Sequence, residues 1–543
     1  MSLTSFSDES RPLLEVHAAP ADAGADARTA TNYRARAYAW VLAATVLRFA
    51  LLAPIPLGNG EAYYYSWSRF LDWSYYDHPP LVAWMARLTT MLGASPAAVH
   101  LGPVLASGAF GLLFYRLAER LFRPRAAFFA LVMVTAMPVF LATSFILNPE
   151  APLAPLWVGF LLVVWRMRDE DDPRLPIAAG ALLGLAFLAK YTAVLLVPGV
   201  LLYMAASLPA RRWLRRPSFY AGGALAMFIA LPVLLWNESR GWPSVRLHLV
   251  ERAAVAVPVA GENTVNRLVE ISSTSGEGLL GSVLRVLVGQ LMAYSPLLAP
   301  LVVLGLARSL RRARIDDRDL FVSAFTWPAL LPLLAAMTAF KDAEQHWTMT
   351  ALVPAVIAAG RWADVDWSGA KLVRRMTAVG FALSAVGFIA VNVHVRSTAL
   401  LRLIPSAHYD PRADIVNELV GWKRVRASLT RAAAAVPGAV VLASNHYSLC
   451  GRLFFEMGDE PAVYCPTGRR SAYDYFGRHD VPDDATVVAL TTDIREELPA
   501  GLRDRACALA DEVDVERGDR RVARYFVHTC APRLSRSDAR ASR

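Results

Sequence analysis

The stretch LGNGEAYYYSWSRFLDWSYYDHPPLVAW, Leu57 to Trp84, decides how this chain is read. It lies between two membrane-length apolar segments, yet it holds Glu61, Asp72, Asp77 and His78 among Tyr63, Tyr64, Tyr65, Trp67, Trp73, Tyr75 and Tyr76, and it closes on Pro79-Pro80. Acids, a histidine and aromatic faces beside a bilayer suit a site for a polar ligand held at the membrane surface. The same rings also suit an interfacial loop with tyrosine and tryptophan at headgroup level, and these residues alone leave both readings open.

Working outward, the 543-residue chain is 55% hydrophobic and 19% charged, and its apolar residues fall in long runs. That is the composition of a polytopic α-helical membrane protein. A net charge of +10 would suggest nucleic acid as the partner of a soluble domain, but here the arginine clusters alternate with apolar runs. The charge therefore marks topology, and no nucleic-acid partner is expected. Residues 1–33 are polar and Ala-rich and lack the basic start, apolar run and cleavage site of a signal peptide, so they read as a disordered cytoplasmic tail.

Arg34 and Arg36 precede the first apolar segment, Ala37 to Leu57, and place the N-terminus in the cytoplasm and the opening stretch outside. The next run, Val99 to Leu121, returns to an arginine cluster at Arg116, Arg120, Arg123 and Arg125. From Ala126 to Trp165 the chain is apolar for longer than the about 20 residues of one crossing, and only Asn148-Pro149-Glu150 interrupts it, which predicts an outer turn. Leu175 to Leu208 repeats the pattern, with Lys190 near its middle, and predicts two short helices meeting there. A helix from Phe219 to Trp236 leads out again, followed by apolar runs at 283–307, 320–340, 347–360 and 373–393. The expected architecture is a membrane domain over 34–394 of about eleven transmembrane helices, with outer loops 57–98 and 238–280.

Residues 395–543 read as a soluble extracytoplasmic α/β domain, with strands expected at Ala439–Ala443, Thr486–Thr491 and Val522–His528. All four cysteines, Cys450, Cys465, Cys507 and Cys530, lie here. An oxidising location makes one or two disulfides plausible, with three pairings open if both form. The wide spacing and the lack of a CxxC argue against metal binding.

Every polar break in the apolar tracts falls on the same membrane face as the opening stretch: Glu150, Lys190 and the segment Lys341-Asp342-Ala343-Glu344-Gln345-His346-Trp347. Ionisable groups at the ends of apolar helices tend to be functional, although a lysine there can snorkel and a glutamate can cap a helix. Transfer of a sugar from a lipid phosphate would use such a set. A carboxylate takes the acceptor's proton, a cation holds the departing phosphate, and aromatic faces stack on the sugar.

The run EAYYYSWSRFLDWSYYDHPPLVAW resembles the first outer loop of bacterial glycosyltransferase family 39 and its aminoarabinose-transferase relatives, which share the GT-C membrane fold with protein O-mannosyltransferases. The resemblance continues through NPEAPL (Asn148 to Leu153), AKYTAVLLVPG (Ala189 to Gly199), HWTMTALVP (His346 to Pro354) and the tail from Ser444 to Phe476. It implies Glu61, Asp77 and Glu150 as catalytic candidates. For the substrate it implies Tyr64, His78, Lys190, Lys341, His346, Trp347, Arg469 and Asp474, with Tyr447 and Arg470 also matching. Arg240, Arg246 and Arg252 are further phosphate candidates on charge alone. The family's first loop usually begins Asp-Glu; here the pair is Gly60-Glu61, and Glu150 stands where Asp is usual.

The implied function is transfer of a sugar, with inversion, from a polyprenyl-phosphate donor to an envelope lipid, glycan or protein acceptor. It would take place on the outer face of the cytoplasmic (inner) membrane, with no metal or other cofactor expected. The alternative, raised by Gly60, is a degenerate transferase that binds or transports lipid-linked sugar without catalysis.

Overall fold

The computed structural model describes residues 23–52, 55–251, 278–340, 343–362, 364, 370–411, 414–493 and 496–533. Helix α1, Ala23–Ala50, begins inside the stretch assigned to the disordered tail. Its first turns are Ala-rich, and alanine is the strongest helix former, so residues 23–33 continue the helix rather than fray from it. The rest of that tail, 1–22, lies outside the described residues.

Five helices among the described residues are long and apolar enough to cross a membrane: α4 (Pro96–Leu121), α7 (Glu150–Asp169), α10 (Pro217–Ser239), and those at Asp317–Ala339 and Ala370–Arg396. Shorter apolar helical segments lie at Pro124–Thr135 (α5), Arg174–Ala189 (α8), Tyr191–Ala206 and Leu279–Ala293. Lys190 is where the long tract breaks. Helix α8 ends at Ala189, Lys190 is extended (φ −157°, ψ 140°), and the chain re-enters helix α9 (Leu196–Ala206) through a 3-10 turn. The run 283–307 is not one helix: it stops at Ala293 and restarts at Ala299. Between them Ser295 takes φ 73°, and the following Pro296 has no backbone N–H with which to continue the helix.

Where α8 crosses α10, a Cβ on Gly180 would lie 1.9 Å from the Gly222 carbonyl oxygen, and one on Gly222 would lie 2.1 Å from that of Pro176. Backbones this close admit only glycine, the usual device for helix packing where lipid gives no hydrophobic drive.

The opening stretch is not an open loop. It forms α2 (Asn59–Trp67) and α3 (Leu81–Thr89), with Pro80 opening α3. The segment 238–280 begins as the end of α10, continues through Pro243–Arg246 and a π-turn at Leu247–Glu251, and then leaves the described residues, so Arg252 lies outside them.

The C-terminal segment carries a five-stranded mixed sheet of order β2-β1-β3-β5-β4. Strand β1 (Val440–Ser444) runs parallel to β2 (Val463–Tyr464) and β3 (Thr486–Thr492), whereas β5 (Arg520–Cys530) is antiparallel to β3 and β4 (Cys507–Arg517). The pairings left open resolve as Cys450–Cys465 and Cys507–Cys530. One face of the sheet closes a core within the segment, Val441, Ala443, Val487, Ala489 and Leu502, and the other face is shared with the opening stretch. Tyr63, Tyr65, Trp67 and Tyr75 of the opening stretch share one apolar cluster with Val425, Leu442, Leu453, Tyr473 and Val488. Helix Tyr447–Met457 lies so close to α2 that a Cβ on Gly451 would come within 2.6 Å of the Tyr63 amide nitrogen.

Candidate active site

Glu150 is the first residue of α7, and Lys190 is the first beyond α8. Consecutive helices joined by a short connection run antiparallel, so the start of one and the end of the next meet at the same membrane face. The two side chains form an ion pair through Glu150 Oε1. The same oxygen lies 3.0 Å from His346 Nε2, and His346 Nδ1 lies 2.9 Å from Glu344 Oε2. The Lys190 ammonium is 6.0 Å from the centre of the Trp347 ring. Side-chain exposure rises from 2% at Glu150 through 24% at His346 to 36% at Glu344, so this chain of charges leads from a sealed interior to the surface.

Burial opposes a charge on His346, but the carboxylates of Glu150 and Glu344 outweigh it and push the imidazole up to about 9. Glu150 Oε2 is buried with no hydrogen-bond partner among the described residues. One oxygen of this carboxylate is thus held by two cationic groups, while the other is sealed from solvent and has no hydrogen-bond partner among the described residues.

Glu61 is used differently. Its Oε2 accepts from the Gly58 amide at 2.8 Å, closing a cap on α2, and its Oε1 accepts from the Leu147 amide at 2.9 Å and lies 3.1 Å from His100 Nε2. Burial works to raise its pKa, but His100 and the two amides hold the carboxyl below the usual range. His100, a lone histidine in an apolar helix, was passed over in the sequence. The neighbouring Gly60 is exposed, and a Cβ there would meet nothing within 4 Å.

Asp77 and Arg469 meet at 3.7 Å, the Arg469 guanidinium lying 5.1 Å from the centre of the Tyr447 ring. Asp77 Oδ2 accepts from the Tyr63 hydroxyl at 2.5 Å, and that hydroxyl accepts in turn from the Ala472 amide at 3.0 Å. Burial first, and then the Asp77 charge, holds the Tyr63 phenol well above its ordinary value, so it stays a donor. The Asp77 carbonyl lies 2.8 Å from His248 Nε2, another residue the sequence did not single out. Tyr64 packs edge-on to Trp67 and lies 6.1 Å from His78.

Asp474 does not face this cluster through its described contacts; it caps its own turn through the Ser471 amide at 2.8 Å and pairs with His479 at 3.4 Å. Arg240 pairs with Asp72 at 3.2 Å and covers Trp236, tying the end of α10 to the opening stretch. Lys341 lies outside the described residues. No group of three or more metal-ligating side chains meets among the described residues.

Residues 77–236 match the family described as dolichyl-phosphate-mannose-protein mannosyltransferase. The chain is 26% identical over 444 residues to the lipid A galacturonosyltransferase RgtD of Rhizobium johnstonii, covering 78% of this chain and 83% of that protein. Its fold matches the crystal structure of ArnT from Cupriavidus metallidurans in the apo state, with a TM-score of 0.56 at 14% identity over 92% of this chain and 98% of that one. ArnT bound to undecaprenyl phosphate matches with a TM-score of 0.57 at 15% identity and the same coverage. The chain therefore has the GT-C fold, and the resemblance to membrane glycosyltransferases read from its motifs holds across most of its length.

Proposed function

We propose that this protein is an integral membrane glycosyltransferase that moves a sugar from a polyprenyl-phosphate donor to an envelope lipid on the outer face of the cytoplasmic membrane. The observation that carries the reading is the split use of Glu150: Oε1 is held by Lys190 and His346, and Oε2 is buried without a hydrogen-bond partner among the described residues. In the reaction an acceptor hydroxyl donates to Oε2, its oxygen attacks the anomeric carbon as the proton passes to Glu150, and the sugar–phosphate bond breaks on the opposite face. The lipid phosphate leaves with the bonding pair, and a single displacement inverts the anomeric centre. Arg469, about one-third exposed beside Tyr447, is the guanidinium offered to that phosphate. The likeness to ArnT bound to undecaprenyl phosphate and to a lipid A galacturonosyltransferase supports a polyprenyl-phosphate donor and a lipid acceptor. Two cysteine pairs joined in the C-terminal segment support its extracytoplasmic location.

The direct test is transfer by the purified protein in nanodiscs from synthetic polyprenyl-phosphate sugars to a lipid A acceptor; no product from any donor would remove the reading. Lys190→Ala is expected to lower kcat about 10²-fold or more, by leaving the Glu150 carboxylate short of a counter-charge. The pH profile has a stated sign. The imidazolium of His346 is raised above its ordinary 6.5, so its contribution is complete below that pH and is lost as pH rises through about 9. A kcat profile measured from pH 6 to 10 should fall on its alkaline limb near that value, and His346→Gln should abolish that limb; a flat parental profile contradicts the assignment.

Gly60 keeps the second reading, a binder of lipid-linked sugar without catalysis. A carboxylate at that position would enter open space. Gly60→Asp separates the two: large gain of transfer from an inert parent favours the binder, and an active parent refutes it.

A further inference from the structure

The partners of Glu61 lie on three different elements. Gly58 leads into α2, His100 belongs to the beginning of α4, and Leu147 sits in the turn before α7. Three of the roughly four lone-pair directions of the carboxylate are therefore taken by protein. Leu147 is itself fully buried in the core shared by α2 and the C-terminal sheet. From Leu147 the chain runs directly through Asn148, whose side-chain oxygen accepts from the Ala151 amide at 3.1 Å, into the first turn of α7. The turn that delivers Glu150 is thus held at one end by Glu61 and at the other by the start of its own helix.

We infer that Glu61 and His100 are positioning residues: they clamp the turn 147–150 and fix the direction in which the open oxygen of Glu150 is presented. The inference rests on the reading of Glu150 given above. In this arrangement Glu61 takes no proton from substrate. Its charge serves a buried contact with His100 and two amides that would otherwise be without partners, and its effect on transfer passes through Glu150. A displacement of about 1 Å at a reacting group lowers rate by about 10²-fold, which sets the size of the effect to look for.

The test uses the full chain in nanodiscs with two readouts. In Glu61→Gln the single amide oxygen can still accept from the Leu147 N–H, while the amide nitrogen gives up the bond from the Gly58 N–H, which caps α2 and not the turn. The kcat should therefore stay within about tenfold of the parent, whereas a carboxylate that takes the proton would lose about 10²–10⁴-fold. Glu61→Ala and His100→Ala should each lower kcat about 10²-fold with little change in KM, the double variant should be no worse than either alone, and His100→Gln, which restores a donor, should recover most of the loss. Hydrogen exchange at the amides of residues 145–151 should quicken in Glu61→Ala and His100→Ala but not in Glu61→Gln. Exchange unchanged in Glu61→Ala overturns the clamp. A 10³-fold loss in Glu61→Gln with unchanged exchange also overturns it, and makes Glu61 the reacting carboxylate. Because exchange is read without turnover, an inert parent would remove the proposed function while the exchange arm still decides for or against the clamp.

Discussion

Exchanging Glu150 for glutamine is expected to lower kcat by about 10²–10⁴-fold, the usual contribution of a positioned acid or base. Glutamine keeps the shape and fills the same buried space, but it cannot take a proton on the atom that Glu150 leaves open. The same change leaves the Lys190 ammonium, itself buried, without its carboxylate, and breaking one side of a buried pair costs about 3–5 kcal/mol. Loss of activity alone therefore does not separate chemistry from folding, and two companions do. Glu150→Asp keeps the charge on an arm shorter by one methylene and should retain more activity than the glutamine variant. Glu150→Gln with Lys190→Met removes both charges, so it should recover much of the lost stability, read as the thermal unfolding midpoint, without recovering transfer. Recovery of both would make Glu150 a structural counter-ion, and the proposed mechanism would fall.

The second large effect is expected at Gly451, where even a methyl group would come within 2.6 Å of the Tyr63 nitrogen and 2.7 Å of the Ala62 carbonyl carbon. A side chain in the way can turn aside; backbone on a packed helix cannot. Gly451→Val should therefore push helix Tyr447–Met457 away from α2 and lower stability by at least the about 1–3 kcal/mol of ordinary overpacking. Transfer should fall with it, since the backbone at this contact carries Tyr63, whose hydroxyl joins Asp77 to the Ala472 amide. Limited proteolysis and thermal unfolding check the first effect, and the transfer assay checks the second. Gly223→Ala, with nothing within 4 Å of its Cβ, is the matched control and should leave both unchanged. A Gly451→Val protein as stable as that control would contradict the close approach.

Much of the helical scaffold was legible because a bilayer imposes a length on every crossing and a charge inside an apolar tract has few permitted places. That logic locates the break at Lys190 and the turn at Glu150, and because the ends of an antiparallel pair meet, it puts the two on one membrane face from the sequence alone. It failed where the chain breaks without a charge: between Ala293 and Ala299 there is no ionisable residue other than Tyr294, and Ser295-Pro296 marks the interruption.

The opening stretch was harder for a different reason. Tyrosine and tryptophan suit a headgroup layer, a sugar site and a protein core equally well, and the partner that decides is far away in sequence: Ser66 meets Tyr473 across 407 positions. Tyr63, Tyr65, Trp67 and Tyr75 of that stretch pack into the core under the C-terminal sheet. Strand β4, CALADEVDVER, was hidden by acids that its edge position leaves facing water. The disulfide pairing was settled by strand register, Cys507 opposite Cys530, which cysteine spacing does not encode.

The shared core of α2 and the C-terminal sheet also says something about how the protein comes into being. An aromatic helix laid down near the beginning of synthesis has no finished surroundings until the final quarter of the chain has been made and folded over it. The membrane bundle can insert first, yet Tyr63, Tyr65 and Trp67 stay uncovered until β1, β3 and helix Tyr447–Met457 arrive. Copies that lack the last segment leave this aromatic face of α2 without its covering.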